Sequence, residues 1–279
     1  MRLICFLALA ACGSPSRDDG GTVDAAKHLD GNGSNNGSGS NDNFTVYAHS
    51  DTVLYSVDVV GKTLNKVGNF NAPSNDAITD LAVAPDNTIY VISESAIYTA
   101  DPNDGHVTKL GSLAACGTKG VALTTTPDGK LWTGDFSGSL CQIDTTQSPP
   151  ALLAPISMTS GLALSGDFVA VSDGTVFGTA YKKSDNANSG TNLNNTLVKI
   201  DVPTGTVTSI GPTGYPKLFG VAFAAGQVFG FTHDGTGHVV TIDPTTGTGT
   251  LFGTFTDPGT NQGISFGGAG VSSLVPVIE

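Results

Sequence analysis

The chain has 279 residues, a net charge of −12 at pH 7, 24 acidic against 12 basic side chains, and a hydrophobic fraction of 39%. Its two arginines, Arg2 and Arg17, stand at the N-terminal end. The remainder is acidic and has no guanidinium fork to grip phosphate, which excludes nucleic acid as a partner class.

The first residues read as a sorting signal. Met1-Arg2 supplies a positive start, Leu3 to Ala10 an apolar stretch, and Leu9-Ala10-Ala11-Cys12 a small-residue site ending in cysteine. These last four residues resemble the lipobox of bacterial lipoprotein signal peptides. The resemblance implies removal of residues 1–11, acylation of Cys12, export, and a membrane partner held through the lipid. An ordinary cleaved signal or a buried apolar strand is the alternative reading. Gly13, standing where an aspartate would favour inner-membrane retention, points to the outer membrane of a Gram-negative envelope. Nothing after Ala11 is apolar for long enough to span a bilayer. Residues 12–43 are glycine, serine, asparagine and aspartate with hardly an apolar side chain. That composition predicts a disordered tether with a reach on the order of 30 Å.

From residue 44 to 279 one pattern returns five times. Apolar runs closing on Asp58, Asp101, Asp144, Asp201 and Asp243 follow one another at spacings of 43, 43, 57 and 42 residues. Each is preceded by a first strand, read as Asp80-Leu-Ala-Val, Gly120-Val-Ala-Leu, Gly161-Leu-Ala-Leu, Gly220-Val-Ala-Phe and Gly263-Ile-Ser-Phe. A period of about 40 to 45 residues made only of strand-type segments predicts an all-β fold, a β-propeller with one four-stranded blade per repeat. The chain opens on a second strand and ends on a first strand. The N- and C-terminal strands are therefore expected to pair in one blade and close a five-bladed ring. Glycine or turn residues follow the closing aspartates, as in Asp243-Pro-Thr-Thr-Gly247, so these side chains are assigned to hairpin turns and not to a ligand ring.

Pro85-Asp-Asn-Thr-Ile-Tyr90 and Pro127-Asp-Gly-Lys-Leu-Trp132 resemble the turn and second strand of NHL, YVTN and quinoprotein-like propeller repeats. Those families include surface and scaffold proteins as well as lactonases and lyases, so the resemblance implies the fold and leaves the activity open. Beyond Cys5 and Cys12, the chain has Cys116 and Cys141. An even pair in an exported protein is read as a disulfide, provided that the two Cα atoms approach within about 7 Å.

In propellers, ligands sit at the channel mouth, among loops joining blades and loops joining second and third strands. The repeats bring His49, Asp51, Glu94, Asp135, Asp173, His233 and Asp234 to the loops within blades. They bring Lys119, Ser160, Tyr215, Lys217, Asn261 and Gln262 to the loops between them. Asp80 is the exception at a position read elsewhere as Gly120, Gly161, Gly220 and Gly263; an acid there is either a perturbed site carboxyl or a partner of a neighbouring amide. An insertion is read between Val176 and Leu197, where Tyr181, Lys182 and Lys183 suit a sugar or an anion, and Tyr215 with Lys217 extends that ligand set. Two functions follow. The first is a non-enzymatic binding or scaffold module for a protein or glycan partner, with no cofactor and no metal. The second is a propeller hydrolase or lyase whose candidate groups are Asp80, Glu94, His49 and His233. Convergence of those four around the channel would favour the enzyme.

Overall fold

A computed structural model describes residues 45–74, 76–113, 116, 120–159, 161–185 and 194–277. The chain divides into two units, Met1–Asp42 and Asn43–Glu279. The described residues belong to the second; the expectations for the signal, Cys12, the tether, Lys119 and Ser160 lie outside them.

Runs of β-branched and aromatic residues punctuated by aspartate and glycine make strand and hairpin the local choice throughout. The first blade holds β1 (Val46–His49), β2 (Val53–Asp58) and β3 (Thr63–Asn69). The second holds β4 (Ile78–Val83), β5 (Ile89–Ser93), β6 (Ala96–Ala100) and β7 (Val107–Ser112). The third holds β8 (Ala122–Thr125), β9 (Leu131–Gly134) and β10 (Ser139–Asp144), with its outer edge split into β11 (Ala151–Leu152) and β12 (Ile156–Ser157). The fourth holds β13 (Leu162–Ala170), β14 (Val176–Lys182), β15 (Asn194–Asp201) and β16 (Thr206–Pro216). The fifth holds β17 (Leu218–Ala224), β18 (Gln227–Thr232), β19 (His238–Ile242) and β20 (Gly249–Thr254). Finally β21 (Gly268–Gly270) joins β1, so the first sheet runs β21-β1-β2-β3. All five sheets are antiparallel, and together they form a five-bladed β-propeller.

Closure is by the two chain ends: Tyr47, Ala48 and His49 face Gly270, Ala269 and Gly268 across the β1–β21 pair. This removes two unpaired sheet edges at once. Inner strands such as β13 are buried along their whole length, while the outer strands β3, β7 and β20 are largely exposed. The main apolar cluster gathers residues from blades 1, 4 and 5, including Val46, Phe223, Phe231 and Phe266.

Four of the five repeated aspartates hold turns with their side chains, while Asp201 does so only through its backbone carbonyl, which accepts from Thr204 and Gly205. Asp58 Oδ1 accepts from the amides of Val60 and Gly61, Asp101 Oδ1 from Asn103, Asp144 Oδ1 from Thr146, and Asp243 Oδ1 from Thr245. In the last of these hairpins Gly247 has φ 78° and lies on the preceding blade: a Cβ there would stand 2.5 Å from the Gly211 carbonyl oxygen. Glycine is required twice over, by backbone sign and by space.

The register corrects three sequence expectations. Strand pairing of Val83 with Ile89, Thr125 with Leu131, Ala170 with Val176 and Phe223 with Val228 defines equivalent positions. On that basis the counterparts of Asp80 are Ala122, Asp167, Gly220 and, in the first blade, Gly268; Gly120, Gly161 and Gly263 are not. The C-terminal strand accordingly begins at Gly268, five residues beyond the segment read from the glycine pattern. The segment Phe177 to Lys182, read as insertion, is strand β14 itself, and only the stretch after it departs from the repeat. A register shift in β13 between Leu164 and Phe168 sets Asp167 at the position equivalent to Asp80.

Candidate functional site

Loops between second and third strands, and those between blades, share one end of the ring, called here the upper face. The equivalent layer of Asp80, Ala122, Asp167, Gly220 and Gly268 lies on the axis just inside that face. Asp80, Asp167 and His49 are all fully buried there, at 0% exposure.

Each carboxyl oxygen has a backbone partner. Asp80 Oδ1 accepts from its own neighbour Leu81 at 2.8 Å, and Oδ2 accepts from Leu123 of blade 3 at 2.6 Å. Asp167 repeats the device: Oδ1 accepts from Phe168 at 2.6 Å, and Oδ2 from Val221 of blade 5 at 2.8 Å and Ala269 of blade 1 at 3.3 Å. The two carboxyls lie close enough to influence one another, blade 2 against blade 4. Two side chains therefore tie strands from all five blades.

Burial pushes both carboxyls well above the ordinary carboxylate range. At Asp80 the Asp167 charge adds to the effect. His49 is held down at about 4, chiefly by burial, with opposing contributions from Asp51 and His233. It is neutral at pH 7: Nδ1 lies 2.8 Å from the Ser50 carbonyl, to which it donates, and Nε2 sits 3.9 Å from Asp80 Oδ1 without a hydrogen-bond partner among the described residues. Space is fully used, since a Cβ on Gly268 would stand 2.0 Å from Asp80 Oδ1.

Of the four enzyme candidates, the fold brings His49 to Asp80, with His233 nearby. Glu94 is exposed in the β5–β6 turn. His233 is half-buried at the mouth, its Nδ1 2.9 Å from the Phe266 carbonyl and its ring stacked on Phe219 with centroids 4.5 Å apart. Phe219 lies 6.1 Å from Phe136, which is 36% exposed. Tyr181 joins this rim by donating to the Phe136 carbonyl at 3.1 Å. Lys183 reaches it too, its Nζ filling the space beside Gly138, while Lys182 is exposed at the end of β14. Lys217 takes part through its backbone, its carbonyl accepting from the His233 amide at 2.8 Å. Tyr215 does not: it packs against the main apolar cluster and beside Gly249, on the seam between blades 4 and 5. Asp173 is likewise removed from the mouth set, because the β13–β14 turn that carries it lies at the opposite, lower face. Cys116 and Cys141 are joined as a disulfide with Cα atoms 5.8 Å apart, fastening the segment before β8 to β10.

Sequence reasoning missed Asp167, Phe136 and Phe219. Asp167 did leave a signal. The six-residue step from Asp80 to Asp86 recurs between Asp167 and Asp173, each spanning an apolar strand and its turn. The two phenylalanines left none, since isolated loop aromatics carry no period.

No family model matches the chain, and no curated protein matches it. Among solved structures it is similar to hydrazine synthase of Kuenenia stuttgartiensis, with 18% identity over 62% of this chain and 47% of that one at a TM-score of 0.42. It thus spans about half of that protein's length. A protein of unknown function from Bacteroides caccae is similar at 12% identity over 82% of this chain and 98% of that one, TM-score 0.47. Virginiamycin B lyase of Staphylococcus aureus is similar at 14% identity over 76% and 65%, TM-score 0.43. Likeness at this distance is one of fold and transfers no activity.

Proposed function

We propose that the protein is a lipid-anchored, envelope-facing propeller that binds a protein or glycan partner at its channel mouth and does not transform it. One observation carries this reading: the axial acids are sealed from solvent and their oxygens are engaged by backbone amides of neighbouring blades. A general acid or base needs contact with its substrate. Here the acids with raised pKa fasten the ring, and what the mouth offers a ligand is the aromatic rim of Phe136, Phe219 and His233. Partly exposed aromatic rings suit recognition, since they supply area at small cost in side-chain entropy.

The test combines a glycan array and a displayed-peptide library with assays on 4-nitrophenyl glycosides and lactones. The expected outcome is selective binding that Phe136→Ala weakens about tenfold or more, the effect of losing a well-packed aromatic contact, with no turnover. Turnover abolished by His49→Ala or Asp80→Asn in a folded protein would establish the hydrolase or lyase alternative.

A further inference from the structure

A groove of 620 Å³ lies on the lower face, between blades 3 and 4. It is separate from the mouth and within the size range of small-ligand sites. The β8–β9 turn, the β13–β14 turn, the end of β15 and the start of β16 form its walls. Trp132, buried among Val176, Ile200 and Val202, contributes to its lining. Around this apolar floor stand charges of both signs. Asp128 and Lys130 form an ion pair at 2.6 Å, Asp173 Oδ1 accepts from the Thr175 amide at 2.7 Å, and Lys199 and Asp201 project from the end of β15.

This composition selects among ligand classes. Three carboxylates and no guanidinium disfavour phosphate or sulfate groups. A charged rim disfavours a purely apolar guest, whose entry would desolvate groups that it cannot partner. A neutral sugar meets both halves of the lining. The C–H face of its ring covers the rings of half-buried Pro127 and exposed Pro203, over a floor closed by the buried indole, while neighbouring hydroxyls donate to carboxylates and accept from ammonium groups. We propose that this groove is a binding site for a short neutral oligosaccharide, independent of the partner taken at the mouth.

Trp132 is the only tryptophan in the chain, so its fluorescence reports on this groove alone. The experiment titrates the full chain with cellotetraose, chitotetraose, maltotetraose and xylotetraose. The expected result is a saturable change in emission with at least one of them. Lys199→Ala and Asp201→Asn, both at exposed rim positions, should each raise the half-saturating concentration about tenfold, as befits loss of a charged hydrogen bond. Phe136→Ala at the mouth should leave it unchanged. No saturable response to any of the four sugars would overturn the proposal. So would a response that survives both rim substitutions in variants of unchanged melting temperature, or an equal response to a sulfated chondroitin tetrasaccharide.

Discussion

Asp80 and Asp167 show how one residue type serves opposite ends at different places in one repeat. At the hairpins an aspartate stays exposed and holds a turn; at the axis the same side chain is buried and holds neighbouring blades together. The two axial acids are not equivalent. Asp167 accepts three amides, from Phe168, Val221 and Ala269, so Asp167→Ala strands three buried donors. That substitution is expected to cost about 4 kcal/mol, read by urea unfolding. Asp80→Asn keeps one acceptor and a donor toward Asp167 and should cost about 1–2 kcal/mol near neutral pH. Asp80 was legible in the sequence because it broke a glycine pattern. Asp167 was not, because a bulge in β13 displaced it from the position where that pattern placed its counterpart.

Among the elements, the hairpin between the third and fourth strands sets how tightly each blade seats on the one before it. Gly247, in such a hairpin, and Gly174, in the β13–β14 turn between first and second strands, make a useful contrast, with φ of 78° and 85°. A Cβ on Gly247 collides with the Gly211 carbonyl, whereas one on Gly174 meets nothing within 4 Å. Gly174→Ala should therefore cost only the backbone penalty, about 1 kcal/mol, and Gly247→Ala about 3 kcal/mol, both by thermal unfolding. Equal costs would mean that the seam yields freely. Hairpin chemistry was readable in advance, since an aspartate followed by a glycine specifies the turn locally. Strand register was less so: glycine-first matching misaligned the equivalent positions in blades 3 and 4 and set the first strand of blade 1 too early, because register is set by cross-strand partners and not by the identity of the first residue.

For the molecule as a whole, the ring and its closure followed from sequence because the period and the offset of the two ends are global properties that local substitutions do not blur. The mouth was only half legible; its aromatic rim comes from loops of three elements that meet in space without a shared motif. The proposed anchor belongs to this scale as well. Cys12→Ser should move the protein from the detergent phase to the aqueous phase on Triton X-114 partitioning, and retention in detergent would refute lipidation. The fastening of five blades by two buried acids has a pH signature that can be worked out in sign. Both carboxyls are raised in the fold by burial, so the folded state holds protons that the unfolded chain has released. Stability is lost as pH rises through the folded values. His49 acts in the other direction: held at about 4 in the fold, it costs stability only as pH falls from about 6.5, its ordinary value, toward that point. The most direct measurement is thus the thermal midpoint of wild type and Asp80→Asn compared from about pH 4.5, just above the unfolded carboxylate value, up to about pH 9.5, His49 contributing alike to both proteins. The wild type should melt higher at the acidic end by several degrees, each kcal/mol being worth about 2–4 °C in a domain of this size, and the gap should close or reverse as pH rises. A gap that stays constant across the range would contradict the claim that the axial carboxyls hold protons in the fold that the unfolded chain releases.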